Sequence, residues 1–115
     1  MASPITTHVL DTSRGRPAAG VVVTLAVQTA SGEWQPLANG KTNADGRVSD
    51  LLPEKVVLAK AAYRLTFETG NYFQSLGMPC FYPHVSVVFE VHDPNQHYHV
   101  PLLLSPYGYS TYRGS

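Results

Sequence analysis

The sequence predicts an all-β sandwich of about eight strands in two sheets with one short helix, and three observations carry that prediction. Apolar and β-branched residues alternate along most segments, the period of a strand packed on one face. Turn signals recur at roughly eight- to twelve-residue spacing, as in sandwiches and barrels. Nine prolines and nine glycines supply the breaks that many tight turns need.

Ile5–Asp11 reads as a first strand, with Ile5, Thr7 and Val9 on one face and Thr6, His8 and Leu10 on the other. The cluster from Thr12 to Pro17 turns the chain. Val21–Thr29 follows, with Val21, Val23, Leu25 and Val27 on one face. Ser31-Gly32 turns it into a partner strand over Trp34–Lys41. Asn43-Ala44-Asp45-Gly46-Arg47 is a further turn, Val48 starts a short segment, and Pro53-Glu54-Lys55 breaks the chain again. Tyr63–Phe67 is a strand facing Tyr63, Leu65 and Phe67 one way. Gly70–Gly77 is the one plausible helix, with Asn71 as its cap, Tyr72, Phe73 and Leu76 on its buried side, and Gly77 as its stop. Val85–His92 alternates strongly, Asp93-Pro94-Asn95 turns, and His97–Leu104 is the next strand. After Ser105-Pro106 and the Tyr107-Gly108 turn, Tyr109–Tyr112 forms the last one.

The 115 residues amount to a single domain, 1–115. Eight basic and eight acidic residues give a formal net charge of zero, which leaves no electrostatic footprint for a nucleic-acid backbone. With 43% hydrophobic and 14% charged residues the chain is not of disordered composition. No apolar run approaches the roughly 18 residues of a membrane span. Met1-Ala2-Ser3-Pro4-Ile5 lacks the basic and apolar regions of a secretory signal, and the final Arg113-Gly114-Ser115 is not a Ser-Lys-Leu address, so a cytoplasmic location is expected. The lone Cys80 requires no oxidising compartment. A domain this small fills its interior with its own side chains and has little room for a deep pocket, while zero net charge offers little resistance to self-association.

Five histidines in so uncharged a chain invite attention. His8, inside the first strand, reads either as a structural imidazole bonded to a carbonyl or as a site residue. His97 and His99, two apart on a strand, share a face; that spacing suits a pair of metal ligands, yet no acidic or Cys companion lies near them in sequence. No metal is therefore expected, and one of the two reads instead as an acid/base catalyst. Arg47, after Asp45-Gly46, is either a solvated charge or a planar fork for a carbonyl, carboxylate or ureide. Cys80 has no basic neighbour in sequence to activate it and reads as inert. The tail carries aromatics almost to its last residue, which implies docking, and Ser110 and Tyr112 share a face on its strand.

These residues carry a resemblance. His8-Val9-Leu10-Asp11 and Gly15-Arg16-Pro17-Ala18 resemble the first strand and turn of the transthyretin-like family. The segment from His97-Tyr98-His99-Val100-Pro101 through Tyr112-Arg113-Gly114-Ser115 is similar to the closing segment of that family's 5-hydroxyisourate hydrolases, whose terminal tetrapeptide marks them off from hormone-carrying transthyretins. The resemblance covers the chain from about Ile5 to Ser115. It implies a transthyretin-like sandwich that opens the cyclic ureide 5-hydroxyisourate by hydrolysis, giving 2-oxo-4-hydroxy-4-carboxy-5-ureidoimidazoline in urate degradation. It implies catalytic roles for His8, Arg47 and His99, substrate-lining roles for Tyr112 and Ser115, and no cofactor. It also implies a homotetramer, a dimer of dimers with sites where two dimers meet, in which Leu103 and Leu104 are interface residues. The carrier branch lacks His, Arg and His at the three catalytic positions. A carrier of small aromatic ligands shares the fold and remains the rival reading; an adhesion domain leaves the histidines and the aromatic tail unexplained.

Overall fold

In a computed structural model of the chain, residues 3–115 are described. The reading of Met1 and Ala2 as no part of a leader lies outside them. Among the described residues the order is β1 (Ile5–Asp11), β2 (Arg16–Pro17), β3 (Val22–Gln28), β4 (Trp34–Lys41), β5 (Arg47–Val48), β6 (Ala62–Phe67), α1 (Thr69–Ser75), β7 (Val85–Glu90), β8 (Tyr98–Ser105) and β9 (Gly108–Thr111).

Two sheets pack face to face. One runs β4-β3-β6-β7 and is antiparallel throughout. The other runs β2-β1-β8-β9, with β5 also paired to β1. Alternation decides which side chains enter the core. Val23, Leu25, Leu65, Phe67 and Val85 point inward from the first sheet, and Ile5, Val9, Val100, Leu102 and Leu104 from the second, all buried. Each fully buried side chain of this kind contributes about 1.5–3 kcal/mol relative to exposure.

The predicted faces of β1 and β6 hold: Ile5, Thr7, Val9, Tyr63, Leu65 and Phe67 are all buried. The expected hairpin of β3 and β4 also forms, with a register shift between Leu25 and Ala26 that seats Pro36 opposite Ala26. β4 lies at the sheet's edge, where a proline's missing N–H is tolerated.

Other details differ from expectation. Among the described residues nine strands replace the expected eight or so, because β2 and β5 are two-residue pairings along the edge of β1 that carry no local alternation. Asn71 does not cap α1. The strand before it leads straight into the helix through Glu68, which sits at the N-cap without a side-chain hydrogen bond and leaves Asn71 in the first turn. Leu76 is exposed, while Tyr72 and Phe73 alone form the apolar anchor. Gly77 does end the helix: it adopts φ 68°, and the N–H groups of Gly77 and Met78 donate to Gln74 and Phe73 at 3.0 and 2.9 Å. β7 ends at Glu90 rather than His92, β8 begins at Tyr98, and β9 ends at Thr111, one residue before Tyr112. Leu104 cannot be an interface residue, since alternation turns it into the sandwich core at 2% exposure; Leu103 is the half-buried one on the outer face.

The pairing that positions the site is parallel. β1 lies beside β8, with Thr6 opposite His99, His8 opposite Pro101 and Leu10 opposite Leu103. At the far end of β1 the buried Asp11 carboxylate accepts hydrogen bonds from the Tyr72 hydroxyl at 2.7 Å, the Ser13 hydroxyl at 2.6 Å and two backbone N–H groups. This cluster ties α1 to the sheet that carries the site.

Candidate active site

A single strand face presents every second residue, so a site on a sheet is assembled by lateral neighbours. β1 contributes Thr6 and His8 outward. β5 runs antiparallel beside it and sets Arg47 directly opposite His8. On the other flank β8 contributes His99, and beyond it the C-terminal segment brings Gly114 opposite His99, its N–H donating to the His99 carbonyl at 2.8 Å. His8, Arg47, His99, Tyr112 and Ser115 thus line one open cleft of about 530 Å³, together with Thr6, Thr7, Ser49, His97 and Gly114.

Two glycines hold the cleft's walls. Gly46 has φ 75° and lies so close to β1 that a Cβ would collide with the Val9 carbonyl, while its own carbonyl accepts the Val9 N–H at 2.7 Å. The preceding turn is stitched by Asn43, whose Oδ1 accepts the N–H groups of Asp45 and Arg47 at 2.9 and 3.0 Å. The backbone of Arg47 is therefore held in a strand beside His8, and its side chain is exposed on the cleft. At the other wall, a Cβ on Gly114 would sit 2.5 Å from Cδ2 of His99, so only glycine lets the tail pass over that ring.

The electrostatics favour neutral imidazoles. His99 is pushed below the ordinary histidine value by burial first, then by Arg47 and by the neighbouring His97 and His8. His8 is lowered by burial and Arg47, against an opposing pull from the Asp45 carbonyl and carboxylate. A base must be unprotonated to act, and both groups meet that condition at neutral pH.

The five residues singled out from sequence come together. Others do not join them: Ser110 sits opposite Leu103 and lines a separate shallow groove. Cys80 lies elsewhere, half-buried, its thiol donating to the Tyr82 carbonyl at 3.5 Å. Sequence reasoning passed over Thr6. Its buried hydroxyl lies 3.0 Å from Nε2 of His97 and 2.8 Å from Nδ1 of His99, whose rings stack with centroids 6.4 Å apart. Its place on the His8 face was legible, but the strand lying opposite was not. Among the described residues, no three His, Cys, Asp or Glu side chains gather so as to hold a metal ion.

Known proteins resemble this chain in sequence and fold. The model of the HIUase/Transthyretin family matches residues 5–114. The 5-hydroxyisourate hydrolase of Salmonella dublin is 49% identical over 111 residues, which is 96% of this chain and 80% of the relative. The crystal structure of sea bream transthyretin in complex with thyroxine superimposes with a TM-score of 0.90 at 34% identity, covering 96% of this chain and 94% of that one. The structure of Klebsiella pneumoniae 5-hydroxyisourate hydrolase gives 0.84 at 39% identity, covering 96% and 98%.

Proposed function

The chain belongs to the HIUase/Transthyretin family, and from that premise we propose that it is a hydrolase of 5-hydroxyisourate, acting in urate degradation. The observation that carries the reading is the convergence of His8, Arg47, His99, Tyr112 and Ser115 on one cleft. The identity to curated hydrolases, near one half over almost the whole chain, supports the same activity.

The chemistry follows from what the cleft offers. A neutral histidine, His8 or His99, takes a proton from water as the water oxygen bonds to a ring amide carbonyl carbon. Arg47 orients the ureide and stabilises the developing oxyanion with its planar donors. The tetrahedral intermediate collapses with cleavage of the ring C–N bond, and the protonated histidine returns its proton to the leaving nitrogen. Tyr112 and Ser115 hold the ring by hydrogen bonds. The protein's own groups supply each proton movement, so the reading calls for no cofactor.

A cleft this open does not exclude water or enclose a substrate by itself. We therefore read the active form as a homotetramer, a dimer of dimers of the single domain 1–115, in which a second copy closes over the outer face of β1, β8 and β9. The half-buried Leu10 and Leu103 on that face support this. Among the described residues no helix is long and apolar enough to cross a membrane. The unpaired Cys80 thiol fits a cytoplasmic setting.

A second reading has one observation in its favour: by backbone alone the thyroxine-bound transthyretin superimposes more closely than the hydrolase. Backbone likeness does not choose a function. The deciding experiment follows ultraviolet absorbance as freshly generated 5-hydroxyisourate decays. Acceleration proportional to protein concentration supports the hydrolase, and an unchanged decay rate gives the site to a carrier of small aromatic ligands.

A further inference from the structure

We propose that Thr6 and His97 are positioning residues that fix His99 in the tautomer of a general base. The inference rests on the hydrolase reading above and goes further, by choosing between the two histidines.

Thr6 Oγ1 is buried in the floor of the cleft between two imidazoles, 2.8 Å from Nδ1 of His99 and 3.0 Å from Nε2 of His97. No other partner of this hydroxyl is seen among the described residues. A threonine hydroxyl carries one hydrogen and two lone pairs, so it donates to one ring and accepts from the other. The two imidazoles are therefore coupled through opposite roles. If Thr6 donates to His99, Nδ1 of His99 is bare and its Nε2 carries the hydrogen, which makes it a donor. If Thr6 donates to His97, Nδ1–H of His99 donates to Thr6 and Nε2 is bare, ready to take a proton.

The cleft favours the second arrangement. With Nδ1 engaged by Thr6, Nε2 is the nitrogen left for the cleft, which Arg47 also lines. A guanidinium is a permanent cation with no acceptor, so it favours a lone pair over an N–H at the ring nitrogen on its side. His97 is exposed, and its Nδ1 can carry its own hydrogen into solvent at no cost in burial. The chain then runs from His99 Nδ1–H to Thr6 and from the Thr6 hydroxyl to His97 Nε2. When Nε2 of His99 takes the proton of the attacking water, the positive charge on the ring strengthens the Nδ1–H donation to Thr6. That stabilisation is released as the proton passes on to the leaving nitrogen.

His8 is oriented differently, by a ring N–H donated to the Asp45 carbonyl, with no hydroxyl and second imidazole behind it among the described residues. Its place directly opposite Arg47 suits it to hold the substrate carbonyl or the attacking water.

The test combines a tautomer measurement that needs no substrate with kinetics. In the full-length wild-type protein at pH 8, two-bond ¹H–¹⁵N correlations should show His99 as the Nδ1–H tautomer; a wild-type His99 carrying its hydrogen on Nε2 overturns the proposal. His97→Ala alters an exposed side chain and should not threaten the fold. It should shift His99 toward Nε2–H and lower kcat about tenfold or more with KM changed less than about twofold, a part of the gain expected of general acid–base catalysis. Thr6→Val should do the same, and Thr6→Ser, which restores the hydroxyl, should recover most of the rate and the tautomer. Full kcat in His97→Ala with the tautomer unchanged also overturns the proposal, whether or not Thr6→Val folds. A wild-type protein that leaves 5-hydroxyisourate decay unaltered removes the hydrolase reading instead, and the tautomer measurement still decides the hydrogen-bond chain on its own.

Discussion

Three imidazoles, of His8, His97 and His99, share the cleft with one guanidinium, and their mutual repulsion is part of the design. Arg47 lowers the proton affinity of both His8 and His99, adding to the effect of burial. A lowered histidine value means the ring stays neutral further into acid. Activity that depends on it is therefore full above the ordinary value of 6.5 and falls only as pH drops through the lowered one. The acid limb of kcat/KM should thus have its midpoint below 6.5, and in Arg47→Met the NMR titrations of His8 and His99 should both move up toward that value. Titrations that stay in place would show that Arg47 has no part in setting them. His99→Asn keeps a polar side chain but no base, and should lower kcat by about 10²-fold or more; a variant with full activity would remove His99 from the mechanism. At this scale the sequence was informative about identity. His8, Arg47 and the His97/His99 pair stood out as residue types, as did Tyr112 beside Ser110, and the resemblance picked His99 from the pair and added Ser115. Thr6 did not stand out, because a threonine in a strand is ordinary until the strand beside it is known.

Individual elements explain why those side chains hold still. The C-terminal segment crosses the His99 ring at Gly114 with no space for a methyl group. Gly114→Ala must displace either the ring or the tail, so kcat should fall severalfold or more while thermal stability changes little, measured by kinetics beside a melting curve. Wild-type kinetics in that variant would mean that the tail shifts freely. At the opposite end of β1, Asp11 anchors α1 through the Tyr72 hydroxyl. Burial raises the cost of the Asp11 charge, but hydrogen bonds from Ser13, Tyr72 and the Arg14 and Ser13 amides outweigh it and hold the carboxyl below its ordinary range. Its stabilising share is present above the ordinary carboxylate value and is lost as pH falls through the lowered one. Tyr72→Phe deletes one charge-assisted hydrogen bond in a buried place and should cost about 2 kcal/mol in urea unfolding at neutral pH. That cost should shrink in acid, and a loss independent of pH would assign it to packing. The longer strands were legible because each repeats its own period-2 pattern. The two-residue strands and the helix start were not, because partner strands and the chain path fix them rather than local composition.

As a whole the molecule is a slab, 39 × 32 × 20 Å, with its cleft on a broad face instead of in its interior. Neither the sheet order nor the parallel partnership of the first strand with the eighth could be read from the sequence pattern, since alternation tells a strand which side is apolar but not who lies beside it. A tetramer that closes the face should sediment as four copies, and specific activity should fall on dilution below the dissociation range. A fully active monomer would return the cleft to a single chain. The partnership of β1 with β8 has a further consequence, in the order of events during synthesis. Thr6 and His99 are separated by 93 residues. At about 5–20 residues per second, a ribosome delivers the second several seconds after the first. Until then the edge of β1 that later meets β8 has no partner and is exposed to wrong pairing. Contacts this distant in sequence also make folding slow. The cleft is thus among the last features to form, and activity has no way to appear before the chain has closed on itself from end to end.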